Sequence, residues 1–361
     1  MPLSLLEIQN LRNLTAIKIE PCPQFNLFYG PNGSGKTSLL EGIHYLSLGR
    51  SFRTRLNSRL INNQSNSFSI FGKIQSSYLT QSTSVGLERH SNGEARIRIN
   101  RADAKSILEV TKLLPIRLLY SESRLILTGP SKLRRQLIDW GVFHVEHQFF
   151  QHWQHARRAL KQRNMVLRTK TGRAMAKIWE NELVQYSEQL NLFRKSHIEL
   201  FQNVFMAVLP ELLPDIDISI HYKPGWNEEI GLLSVLEQTW QRDLELGYTQ
   251  HGPHRADLVI RVNKTVPAQD ILSQGQQKLL VYALYLTQGI LLKEQTSKSC
   301  IYLLDDLPAE LDSKNRARVA AMLQKIGAQI FITGVDKEEL SLLLEGYQAS
   351  LFRVEQGEIT P

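Results

Sequence analysis

Apolar and polar residues alternate along "LSLLEIQN" and "LTAIKIE", and this spacing predicts two short strands separated by "LRN". A third apolar run, "PQFNLFYG", leads straight into a glycine-rich loop. The period then changes. In "TSLLEGIHYLSL", Leu39, Leu40, Ile43 and Leu46 fall on one side of a helix. Alternation returns over 67–100, where "FSIFGKI", "STSVGLER" and "HSNGEARIRIN" read as strands with an Asn92-Gly93 turn. "TKLLPIRLLY" (111–120) reads as a further buried strand interrupted by Pro115.

From about 131 apolar residues recur at intervals of three and four, with no proline and few glycines up to Phe205. This predicts two or three long helices over 131–165 and 174–208, and another over 228–246 beyond Pro210 and Pro214. Strand and helix patterns then alternate again. "ADLVIRVN", "SCIYLLDDL", "AQIFITG" and "ASLFRVEQGEI" read as strands; "SQGQQKLLVYALYLTQGILLKEQ" and "SKNRARVAAMLQKIG" read as helices. The expected architecture is an α/β domain in two pieces, 1–125 and 247–361, with a mainly helical arm, 126–246, inserted between them.

The chain has 361 residues, of which 42% are hydrophobic, enough for a packed core. Its formal net charge of +8 points towards a polyanionic partner, nucleic acid or an anionic membrane. The two cysteines, Cys22 and Cys300, are far apart and match no metal spacing, which fits a reducing cytoplasm. The expectation is a cytoplasmic protein: the N-terminal residues lack a signal-peptide pattern, and no apolar run reaches about 18 residues.

The chemistry concentrates in three places. Gly30, Pro31, Asn32, Gly33, Ser34, Gly35, Lys36 and Thr37 satisfy G-x-x-x-x-G-K-[ST], with a strand before and a helix after. The glycines let backbone N–H groups turn inward around phosphates, and the helix N-terminus adds its positive end. Lys36 is expected to reach the β and γ phosphates of ATP, and the Thr37 hydroxyl to ligate Mg2+. In "CIYLLDD", four apolar residues precede two acids. Asp305 then reaches the magnesium shell, and Asp306 orients or deprotonates the attacking water. In "LSQGQQK", Ser273 is a plausible helix cap, with Gly275 and Gln276 behind it.

That third block resembles the signature sequence of ABC ATPases, which precedes Walker B in chain order as it does here, and "PAELD" stands where that class carries its D-loop. The resemblance narrows through "GPNGSGKTSLLEGIHYLSLGRSFRT", "GPSKLRRQLID", "GPHRADL" and "LLDDLPAELD" to the RecF family of bacterial recombination and gap-repair ATPases. It implies an ABC-type P-loop ATPase head, a bipartite mixed sheet with flanking helices, and a short inserted arm. It implies an ATP-dependent homodimer in which Ser273, Gly275 and Gln276 of one copy meet the nucleotide of the other. It also implies DNA binding, slow ATP hydrolysis, and action with RecO and RecR to load RecA at gaps. Three positions depart from the family pattern: "SESRL" (121–125), Ala256 in place of an acid, and Thr333 where ABC proteins place a histidine.

Two basic clusters are DNA candidates: Arg50, Arg53, Arg55 and Arg59, and the arm segment from Ser131 to Met175. The latter holds ten lysines and arginines, including Arg134, Arg135, Arg157 and Arg158, opposed only by Asp139 and Glu146. Such contacts would give affinity without sequence choice, or some of these arginines would pair with acids across the dimer. His144, His147, His152 and His155 lack a metal-site spacing, and aromatic packing is favoured for them. Two other readings stay open, a small-molecule kinase using the basic arm as a lid and the ATPase subunit of a transporter. Nucleotide-dependent dimerisation separates the first of these from the reading that the RecF resemblance implies, a dimer that clamps DNA when ATP is bound.

Overall fold

The structure, a computed structural model, describes residues 2–75, 82–343 and 347–361. Two units emerge from its internal packing: Met1–Ser123 with Lys278–Pro361, and Arg124–Gln277.

The first part of unit one carries β1 (Leu3–Leu11), β2 (Leu14–Ile19), β3 (Phe25–Tyr29), α1 (Lys36–Leu48), β4 (Ser67–Gln75), β5 (Ser82–His90), β6 (Ala95–Ile99), β7 (Ala102–Asp103), α2 (Ile107–Leu113) and β8 (Ile116–Leu119). Unit two carries α3 (Leu125–Thr128), α4 (Ser131–Val145), α5 (Phe149–Thr169), α6 (Arg173–Leu212), β9 (Ile218–Lys223), α7 (Leu232–Gln238), α8 (Trp240–Leu246), β10 (Asp257–Val262), β11 (Val266–Pro267) and α9 (Ala268–Ile271). Next come α10 (Gln274–Thr296), β12 (Ile301–Leu304), α11 (Leu307–Glu310), α12 (Ser313–Ile326), β13 (Ile330–Gly334), α13 (Lys337–Leu343), β14 (Ala349–Glu355) and β15 (Glu358–Thr360).

Unit one holds two sheets. One is antiparallel, in the order β2-β1-β4-β5-β6-β7; the other is mixed, in the order β15-β14-β3-β13-β12-β8. In the second sheet β14, β3, β13, β12 and β8 run parallel, so Tyr29 and Leu304 end on the same edge. Leu39, Leu40, Ile43 and Leu46 of α1 share one core with Leu6, Ile8 and Leu11 of the first sheet and Phe28, Leu303 and Phe331 of the second. Burying α1 among both sheets fixes the helix whose N-terminus follows the glycine-rich loop.

Several elements differ from their sequence patterns. Residues 111–120 are no single strand: α2 ends at Leu113 and β8 starts at Ile116, because Pro115 disfavours helix at Leu114 before it. The span 131–165 breaks at Glu146, whose carboxylate accepts from the Gln148 N–H while Phe149 is buried to start the next helix. α6 runs through Pro210 to Leu212, its last turn held by buried Val208, Leu209 and Leu212. The span 228–246 is two helices that meet at Thr239, whose hydroxyl donates to Val235 O. "ASLFRVEQGEI" is a hairpin, turned at Gln356 and Gly357. Residues 76–81 of the expected β span lie outside the described residues.

The second unit ends at Gln277, beyond the boundary expected at 246. The reason is strand pairing. β10, whose sequence suggested the head, forms an antiparallel sheet with β9 and β11. Among the described residues no helix is long and apolar enough to cross a membrane.

Candidate nucleotide site

β3 delivers the chain to a loop whose glycines carry it through left-handed backbone: φ is 151° at Gly30, 81° at Gly33 and 122° at Gly35. At Gly30 a side chain would also collide, since a Cβ there would lie 2.1 Å from the Val354 carbonyl of β14. The Ser34 carbonyl accepts from the Gly357 N–H (2.9 Å), which ties the loop to the β14–β15 turn. The Ser34 hydroxyl itself is buried and finds no hydrogen-bond partner among the described residues.

Lys36 Nζ donates to the Gly30 and Pro31 carbonyls at 2.7 and 2.9 Å. Burial lowers its pKa, and the nearby Asp306 and Asp305 oppose that shift. The Thr37 hydroxyl donates to the Asp305 carboxylate (3.0 and 3.2 Å), which also accepts from the Thr333 hydroxyl at 2.8 Å. Thr333 in turn accepts from the Asp306 N–H at 2.8 Å. The sheet order explains this convergence, since β3, β13 and β12 are parallel neighbours that end on one edge. Asp306 is left-handed (φ 56°), and its carboxyl pKa is raised by burial and by Asp305, against the pull of Lys36.

An open cavity of about 900 Å3 joins Asn32, Gly33, Gly35, Lys36, Thr37, Asp305, Asp306 and Thr333. Its other walls come from residues that the motifs did not single out for this site. Arg12 and Asn13 arrive from the β1–β2 turn, read above only as a separator; Asn62, Asn63, Gln64 and Ser121 also contribute. Arg53 and Arg59, candidates for DNA, line this cavity instead. Arg53 also stands 4.0 Å from Glu41, an acid buried in α1 that receives Arg12 at 2.7 and 2.9 Å and the Ser51 hydroxyl. The sequence signal for Glu41 was an acid inside an apolar helical face. The hydroxyl and carboxylate oxygens of Thr37 and Asp305 suit a hard divalent cation.

Ser273, Gly275 and Gln276 lie in the second unit, at the start of α10. Ser273 N–H donates to Gln276 Oε1 (2.9 Å), and Gln276 N–H to Ser273 Oγ (3.3 Å). This reciprocal capping box holds the signature block in shape, and Gly275 has open space where a side chain would stand.

The arm cations divide. Arg134 makes a two-pronged pair with Asp257 (2.7 and 3.1 Å) and donates to the Ile126 and Gly129 carbonyls. Arg135 donates to the Ser131 hydroxyl and to the Ala256 carbonyl. Both are committed to the fold, which corrects their assignment to DNA. Ala256 is fully buried, which leaves no room for the acid that the resemblance suggested. Arg163 is buried against Glu180 and Asp243, and Arg173 also holds Glu180. Arg50, Arg55, Arg157 and Arg158 are exposed. The histidines pack on aromatic rings: His144 on Trp140 and Phe143, His152 on Tyr186 and Phe193, and His155 on Tyr186.

Comparison with known proteins completes the picture. The RecF/RecN/SMC N-terminal domain model matches residues 2–359. The DNA replication and repair protein RecF of Shewanella frigidimarina (strain NCIMB 400) is 41% identical over 360 residues, which cover 100% of this chain and 99% of that protein. Its counterpart in Shewanella piezotolerans (strain WP3 / JCM 13877) is 39% identical, with the same coverage. A solved structure of the recombination mediator protein RecF-ATPrS in the RecFOR pathway superposes with a TM-score of 0.86 at 27% identity, covering 99% of this chain and 97% of that one. An SMC head bound to the C-winged helix domain of ScpA shares the fold, with a TM-score of 0.62 at 15% identity and 100% and 96% coverage. The chain therefore belongs to the RecF/RecN/SMC N-terminal domain family, and within it to the RecF proteins of DNA replication and repair, built on an ABC-type ATPase head.

Proposed function

We propose that this protein is an ATP-gated DNA clamp of recombinational repair. ATP binding joins two copies, the joined pair grips DNA beside a single-strand gap, and hydrolysis releases it. The observation that carries this reading is the convergence of Thr37, Asp305, Thr333 and Asp306 beside the Lys36 loop. Among relatives, the solved recombination mediator protein RecF-ATP of the RecFOR pathway supports nucleotide binding.

In this reading Lys36 leaves the Gly30 and Pro31 carbonyls for the β and γ phosphates, and the Ser34 hydroxyl gains a partner. Thr37 and Asp305 hold Mg2+, which when bound neutralises charge developing on the phosphate oxygens. Asp306 accepts a proton from the water that attacks the γ phosphorus, giving ADP and phosphate. Its side chain is one methylene shorter than the glutamate usual in ABC proteins, and Thr333 supplies no imidazole. Both features favour slow turnover, so the reaction resets a switch. Ser273, Gly275 and Gln276 then act on the nucleotide of the second copy, which fits the exposure of Ser273 and Gly275, and the partial exposure of Gln276, in a fixed cap.

DNA contact falls to the exposed cations Arg50, Arg55, Arg158, Lys161, Arg168 and Lys170. They would meet phosphates without reading bases. RecO and RecR are the partners in this reading, with RecA loading as the outcome, and the cytoplasm is the compartment.

The test is binding of labelled gapped duplex DNA with an ATP analogue, with ADP and without nucleotide, alongside sedimentation of the same samples. Tight, salt-sensitive binding is expected only with the analogue and only as a dimer. Binding indifferent to nucleotide would remove the proposed coupling.

A further inference from the structure

A second cavity, of about 330 Å3, opens within the second unit between α4, α5 and α6. Its floor is apolar: Ala156 and Leu190 are buried, and Leu160 and the edge of Trp153 stand at the wall. Its rim is cationic, with Lys132, Arg135 and Arg157. The one acid that lines it, Asp139, is neutralised by Arg194, which holds both its oxygens at 2.8 and 3.0 Å. Lys132 and Arg157 are exposed and make no ion pair among the described residues. Arg135 is occupied within the fold: it donates to the Ser131 hydroxyl and the Ala256 carbonyl, and Asp139 and Asp257 favour its charge. Lys132 and Arg157 thus stand at the edge of an apolar hollow with no carboxylate paired to them among the described residues.

We infer that this cleft docks an acidic segment of a partner protein, one that places a bulky apolar side chain on the Ala156–Leu160–Leu190 floor and its carboxylates on Lys132 and Arg157. The volume lies at the lower end of the range for a ligand cleft, which suits one anchoring side chain with its flanking backbone. Charge complementarity selects the acidic partner, and the apolar floor selects a peptide over a nucleic-acid backbone. A stacked base is disfavoured because the Trp153 ring is already engaged. Phe150 stacks on it with centroids 6.0 Å apart, and the Arg157 guanidinium lies 5.2 Å from its centre. The inference stands apart from the nucleotide chemistry, and it takes Arg157 out of the DNA-contacting set.

The experiment uses the full-length chain, without nucleotide, on an array of synthetic peptides about twelve residues long. One set carries a central Phe, Trp, Leu or Met flanked by Asp and Glu. A second keeps the apolar centre but has Ser flanks, and a third keeps the acids around a Ser centre. The first set is expected to bind about tenfold or more above both others, and Lys132→Glu and Arg157→Glu each to weaken it about tenfold. Gln136→Trp, at the exposed mouth, is expected to close the cleft to the same set. All three substitutions are at exposed positions, and unchanged thermal melts would confirm that they fold. Equal binding of the three sets overturns the inference, as does an acidic set indifferent to charge reversal. It also falls if the variants weaken DNA binding while leaving peptides untouched, or if they only break a dimer formed without peptide.

Discussion

At the scale of single residues, the proposed function gives Lys36 and Asp306 separable duties. With Lys36 as the proposed phosphate cation, Lys36→Ala should weaken nucleotide binding itself, by about 2 kcal/mol or more. With Asp306 proposed to act on the attacking water, Asp306→Asn should leave ATP binding near normal and slow hydrolysis by about a hundredfold or more. Equilibrium binding of a fluorescent ATP analogue, set beside single-turnover hydrolysis, separates the two. Equal loss of binding in both variants would contradict the assignment. The direction of the Asp306 shift adds a pH signature. Its carboxyl is raised above the usual carboxylate range by burial and by Asp305, and a base must be ionised to work. Hydrolysis should therefore fall as pH is lowered, with its midpoint above that of an ordinary aspartate, and Asp306→Asn should abolish that limb.

At the scale of elements, two features are placed by packing. The loop between β3 and α1 lies so close to β14 that Gly30→Ala would drive a methyl into the Val354 carbonyl. That substitution should cost about 2 kcal/mol or more and distort the cradle. A urea midpoint that is unchanged, with nucleotide affinity intact, would show that the loop has slack. The arm depends on a charge network instead. Arg163 of α5 is wholly buried and bonded to Glu180 of α6 (2.9 Å) and to Asp243 of α8 and Thr249 (both 2.7 Å). Removing one buried partner strands the others, so Glu180→Ala should destabilise the arm by about 3 kcal/mol. Differential proteolysis of the arm would report it, and an arm as resistant as wild type would refute it.

At the scale of the molecule, each unit hides a neutral histidine. Burial lowers the pKa of His44 in the first unit to about 4, and that of His254 in the second to about 4. In the unfolded chain each imidazole titrates near 6.5. Below that value the unfolded state takes up protons that the folded state refuses. The contribution of each histidine is therefore complete above about pH 6.5 and is lost progressively towards pH 4, up to about 3 kcal/mol apiece. Denaturant midpoints of His44→Gln and His254→Gln should fall less steeply with acid than those of the native chain. Parallel slopes would refute the burial argument.

The glycine-rich loop, the two acids at the end of β12 and the Ser273–Gln276 cap were legible in the sequence because each is a local pattern: a run of glycines, an apolar strand ending in acids, a Ser–Gln capping pair. Strands β1 and β2 and helix α1 were legible because their periodicity is local, and β3 and the long helix α10 because each is a largely apolar run. The partners of these residues were not. Arg12, Asn13 and Arg53 meet at one cavity, with Glu41 buried behind Arg12, only because α1 is buried between two sheets, and no spacing along the chain encodes that. The fate of the arm arginines was equally hidden. Arg134 and Arg135 read as free positive charge until Asp257 and the Ala256 carbonyl, more than a hundred residues away, came to meet them. The same pairing of β9 with β10 carried the boundary of the second unit to Gln277. The sequence alone determined the motifs from which the chemistry is proposed, because a glycine-rich loop and an acidic strand end are made by neighbouring residues. The tertiary structure decided which charges remain available to a partner, because a charge is spent or left free by whatever the fold packs against it.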